Sequence, residues 1–105
     1  PVVYWEGHLT FKVHPQAVPE LRFLANEEGV HLSKNAFKFV DAEGLETWMV
    51  TKRVTESTPA RFILAMKHLK QYFSEWNFEA RKVIVEACII DTNQSNDDAW
   101  LYRGE

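Results

Sequence analysis

Hydrophobic and polar residues alternate from Val3 to Val13. Val3, Trp5, Leu9, Phe11 and Val13 share one parity, and Glu6, His8, Thr10 and Lys12 share the other. Successive side chains of a β-strand leave on opposite faces, so the pattern predicts a strand with one buried and one wet face. Pro15, which has no backbone N–H, ends the run. The period then changes. Pro19 suits the first turn of a helix, Val18, Leu21, Leu24, Ala25 and Glu28 follow at helical spacing, and Gly29 is a natural stop.

Residues Val30 to Val40 and Leu45 to Val54 read as two strands around the turn Asp41-Ala42-Glu43-Gly44. Within the first, Val30 and Leu32 have one parity and Phe37 and Phe39 the other, so a loop or bulge near Ser33–Asn35 is expected. The clearest helix follows. Thr58 caps it, Pro59 takes its first position, and Phe62, Met66, Leu69, Phe73 and Trp76 make one apolar stripe. His68, at the edge of that stripe, reads as a partly buried histidine. Arg81 to Ile90 is a β-rich run. In the polar tail 91–105, Trp100, Leu101 and Tyr102 predict a short added strand.

The order strand, helix, strand, strand, helix, strand is the split βαβ arrangement of ferredoxin-like folds. Right-handed crossovers place both helices on one face of a four-stranded antiparallel sheet. The expectation is a single α+β domain over residues 1–105: a βαββαβ sandwich with an extra C-terminal strand.

One sheet face is then left open. Strand parity assigns to it Glu6, His8, Thr10 and Lys12, then Met49, Thr51 and Arg53, then Ile84, Glu86 and Cys88. His8, Arg53 and Glu86 converge across neighbouring strands, with Thr51 and Lys12 beside them. An imidazole, a fixed cation and a carboxylate can hold a small acidic ligand or move a proton. Met49, Ile84 and Cys88 give the same face apolar area, which suits a two-fold contact between copies.

Composition narrows the classes. The 105 residues carry 12 basic and 15 acidic side chains, a net charge of −3, which argues against binding driven by nucleic-acid phosphates. Lys34, Lys38, Lys52 and Arg53, with His31, Phe37 and Phe39, form a basic and aromatic edge. The outward positions Glu6, His8 and Thr10 nevertheless make a poor stacking platform. Cys88 is the only cysteine, so no intramolecular disulfide and no cysteine zinc cluster can form. His8, His14, His31 and His68 lack metal-ligand spacing. No metal and no cofactor are expected. Asp91 to Asp97 begins like an EF-hand loop, but Asn96 stands at the turn glycine and Tyr102 at the bidentate glutamate, so an Asx-rich turn is the better reading. No apolar run nears the roughly 18 residues of a membrane span, and a reducing cytoplasm fits the lone cysteine.

The chain carries no glycine-rich phosphate loop and no paired nucleophile and base. The first expectation is therefore a non-catalytic binding or assembly module, a homodimer through its open sheet face or a strand edge. The alternative is a small enzyme or small-ligand sensor using His8, Arg53 and Glu86.

Overall fold

The computed structural model describes the backbone of residues 2–35, 40–90 and 97–104, and the side chains of residues 4–35 and 40–88. The described residues form β1 (Val2–Val13), α1 (Val18–Glu27), β2 (His31–Lys34), β3 (Glu46–Val54), α2 (Pro59–Glu75), β4 (Lys82–Ile90) and β5 (Asp97–Gly104). The strands make one antiparallel sheet in the order β2-β3-β1-β4-β5. The longest strand, β1, lies at the centre.

Strand parity becomes burial through the register. Leu9 stands between Val50 and Val83, and Trp5 between Val54 and Ala87, so apolar residues of three strands meet on one face. Leu21, Leu24 and Ala25 of α1 and Phe62, Met66, Leu69 and Phe73 of α2 join them in a single core. Both helices therefore cover the same face. The Trp5 and Phe62 ring centroids lie 5.9 Å apart, and those of Phe11 and Phe73 lie 5.2 Å apart.

Gly7 occupies an inward position of β1 with no side chain. A Cβ there would lie 2.7 Å from Met66 Cε and closer still to the sulfur, so the missing side chain is what lets α2 seat Met66 on the sheet.

The helix ends follow their local chemistry. The Thr58 hydroxyl accepts a hydrogen bond from the Arg61 amide at 3.2 Å, and Pro59 needs no partner at the first position. Gly29 takes φ +66°, and the Val30 amide donates to the Ala25 carbonyl at 3.0 Å, which closes α1. α2 closes the same way on Asn77, also at φ +66°, with the Phe78 amide donating to the Phe73 carbonyl at 2.9 Å. In the turn after β2, Asp41 Oδ1 accepts from the amides of Glu43 and Leu45 at 2.9 and 3.0 Å, the Asx geometry a tight turn favours.

Four expectations are corrected. β2 begins at His31 rather than Val30, whose amide belongs to the α1 cap, and among the described residues it runs to Lys34, with the Asn35 amide still donating to the Thr47 carbonyl at 3.0 Å. Residues 36–39, including Phe37, Lys38 and Phe39, lie outside the described residues, as do residues 91–96, where the sequence leads one to expect an Asx-rich turn. Trp76 leaves the α2 stripe and is 52% exposed, because the helix ends at Glu75 and the chain turns at Asn77. His68 is exposed rather than partly buried. The added strand is longer than foreseen: β5 pairs with β4 from Val83 to Ile90, so β4 is an interior strand rather than an edge.

Candidate functional site on the open sheet face

The face opposite the helices is organised by cross-strand rows. Glu6 stands between Arg53 of β3 and Glu86 of β4. In the next row, His8 stands between Thr51 and Ile84, with His31 of β2 beyond Thr51. Glu6 and Glu86 are like charges directly opposite one another, an arrangement that destabilises a sheet unless cations answer it.

Two groups answer it. Arg53 donates from Nε and Nη2 to Glu6 Oε2 at 3.0 and 2.7 Å. These bonds hold the Arg53 guanidinium even more firmly protonated than usual. The guanidinium also lies 4.2 Å from the Tyr4 ring centroid, in cation–π geometry. His8 is the second group. Its Nε2 lies 3.2 Å from Glu6 Oε1 and 3.6 Å from Glu86 Oε1, and its Nδ1 lies 2.9 Å from the Thr51 hydroxyl.

Both charge states of the imidazole are accommodated. With the proton on Nε2, the ring donates to Glu6 and accepts from Thr51; doubly protonated, it donates to both. The His8 side chain is 13% exposed and that of Glu6 is 18% exposed, against 59% for Arg53. The imidazole is thus a recessed, oriented group between two carboxylates.

The fold brings together four of the five residues proposed as a ligand set: His8, Thr51, Arg53 and Glu86. Lys12 sits apart, at the far end of β1, with Nζ 3.3 Å from Asp41 Oδ2. The Leu45 amide, and then those of Glu43 and the Lys12 ammonium, hold the Asp41 carboxyl below its ordinary value. Two participants were not singled out from the sequence. Glu6 is the hub that joins Arg53 to His8, and Tyr4 is the platform under the guanidinium. Strand parity placed Glu6 on this face, but only register shows that it meets Arg53.

Of the three apolar candidates for an interface, Met49 and Ile84 are partly exposed. Cys88 is 5% exposed and offers that surface little area. It lies between Tyr4 of β1 and Ala99 of β5 in register, and the added strand makes this an interior position. On the basic edge, Lys34 bonds Glu46 at 2.8 Å. That bond first, then one from the Trp48 indole at 3.1 Å, keeps the Glu46 carboxyl below its ordinary value.

Among the described residues, no group of three or more His, Cys, Asp or Glu is placed to hold a metal ion. Among them also, no helix is long and apolar enough to cross a membrane. No family model, curated protein or solved structure matches the chain.

Proposed function

We propose that this chain is a small non-catalytic binding or assembly module that self-associates or docks a partner through its open sheet face or a strand edge. One observation carries the reading. The polar groups at the centre of the face bond to one another: Arg53 to Glu6, His8 to Glu6 and Thr51. A closed network of this kind fixes side chains as ready-made contacts. Met49 and Ile84, partly exposed beside it, add the apolar component that a modest interface uses.

The strand order β2-β3-β1-β4 and the two helices on one face support reading the first four strands as a ferredoxin-like βαββαβ sandwich. The single free Cys88 supports a reducing, cytoplasmic setting.

A specific observation favours a second reading, that of a small enzyme or small-ligand sensor. His8 is oriented through both ring nitrogens and flanked by two carboxylates, an arrangement that also serves proton transfer.

Sedimentation of the wild type and of Ile84→Glu separates the two. The module reading expects a dimer at high micromolar concentration that Ile84→Glu shifts to monomer with the fold intact. A monomeric wild type whose His8 ring resonances move on addition of small carboxylic acids would replace it with the ligand reading.

A further inference from the structure

The sheet ends on an uncovered edge at β5. This strand pairs with β4 along all eight of its residues, with no proline and no register shift, and among the described residues no strand lies on its far side. The opposite edge strand, β2, has four residues. A long, regular edge presents a row of unpaired backbone groups, a template for pairing with another strand. In an antiparallel ladder each residue turns its N–H and C=O to one neighbour, and the next residue turns both the other way. The Asn35 amide donates to the Thr47 carbonyl at 3.0 Å, and counting from that pair through the successive registers fixes the direction of every residue out to β5. Asp98, Trp100, Tyr102 and Gly104 turn their backbone groups toward β4, whereas Asp97, Ala99, Leu101 and Arg103 turn theirs away.

We infer that the partner at this edge is the β5 edge of a second copy of the chain, paired antiparallel about a two-fold axis that passes between the two Trp100 residues, perpendicular to the sheet. The inference rests on the module reading above and takes the strand edge as its surface. In this register Asp97 stands opposite Arg103 of the second copy and Ala99 opposite its Leu101, and each pair occurs twice by symmetry. All the outward-turned residues are thereby paired, each pair exchanging two backbone bonds. Trp100 meets Trp100 of the second copy at the closer, non-hydrogen-bonded spacing, where aromatic pairs add stability. Opposite charges meet at both ends of the contact, and the two five-stranded sheets become one.

The other pairings of this edge with itself are worse. A slide of two residues in either direction leaves Asp97 or Arg103 without a partner in β5 and breaks the charge match. Parallel pairing about an axis along the strands would set Asp97 beside Asp97 and Arg103 beside Arg103, and like charges directly opposite destabilise a sheet. Strand addition draws its affinity from main-chain hydrogen bonds, which the register centred on Trp100 maximises.

Sedimentation equilibrium on variants of the edge tests this pairing. Asp97→Arg and Arg103→Asp should each weaken self-association about tenfold, since each sets like charges in both symmetric contacts. An equimolar mixture of the two variants should form a heterodimer, and the double variant Asp97→Arg/Arg103→Asp should regain homodimerisation. Ala99→Pro removes an N–H that turns away from β4, so the chain should keep its own ladder and lose the dimer. Ile84 is the register partner of Arg103, so Ile84→Glu competes with Asp97 of the second copy for the same cation and weakens the dimer as well. Near-ultraviolet circular dichroism, to which the buried Trp5 and Trp48 contribute, reports that each variant is folded. If Ala99→Pro disturbs the fold, the charge-swapped variants still decide the matter. A wild-type dimer that a folded Ala99→Pro leaves intact, or one with no recovery in the mixture or the double variant, overturns this geometry and leaves the module reading standing. A wild type that stays monomeric at high micromolar concentration overturns the second copy as partner, and the His8 response to small carboxylic acids then decides the module reading.

Discussion

Glu6 of β1 holds Arg53 of β3 by two hydrogen bonds to one carboxylate oxygen, across 47 residues of sequence. Through its other oxygen, the same carboxylate reaches His8. Glu6 therefore links the guanidinium to the imidazole while standing directly opposite a second carboxylate, Glu86.

That arrangement makes Arg53 a counter-charge for two acids as much as a partner for one. Arg53→Ala should lower the urea midpoint, because Glu6 and Glu86 then face each other with only His8 between them. Adding Glu86→Gln to the Arg53→Ala background should recover part of the loss. An additive or worse double variant would show that the Glu6–Glu86 repulsion is already screened by water.

The extent to which this site was legible follows from what parity carries and what it does not. Parity alone separated Leu9, Val50 and Val85 from His8, Thr51 and Glu86, because a strand's side-chain period is two and one face must be buried. Register between strands far apart in sequence is set by three-dimensional packing, so the meeting of Glu6 with Arg53 was invisible. Helix ends were legible where a glycine marked them, as at Gly29. They were not where Asn77 did the same work, and the stripe therefore overran to Trp76. The extent of β5 was hidden because Asp97, Asp98 and Arg103 flank its apolar stretch, with only Trp100 to Tyr102 reading as strand.

The turn between β2 and β3 should confer a pH dependence of known sign. The Asp41 carboxyl is held below its ordinary value, first by the Leu45 amide, with the Lys12 ammonium adding to it. A depressed folded-state value means that the ionised form stabilises the fold. The contribution is present above the unfolded carboxylate value, near pH ~4, and is lost as pH falls through the lower folded value. Thermal melts of wild type and Asp41→Asn should therefore differ at neutral pH and converge at strongly acidic pH. Curves that stay parallel down to that range would mean that the Asp41 charge is not coupled to folding.

The seating of α2 on the sheet gives the last test. Gly7 leaves a gap in the inward row of β1 between Lys52 and Val85, and the Met66 thioether fills it. Gly7→Ala puts a methyl group where the sulfur and its terminal carbon now lie. Overpacking a filled core costs about 1–3 kcal/mol, and the flexibility of methionine favours the lower half of that range. Met66→Ala opens a cavity instead, at about 2–5 kcal/mol, since Met66 is 1% exposed. The two changes oppose each other in volume: the new methyl at position 7 enters the space vacated at position 66. Urea denaturation of both single variants and the double variant should give a double variant less destabilised than the sum of the singles. Simple additivity would mean that helix and strand do not meet at this point, and that Gly7 serves the backbone of β1 rather than the packing of α2.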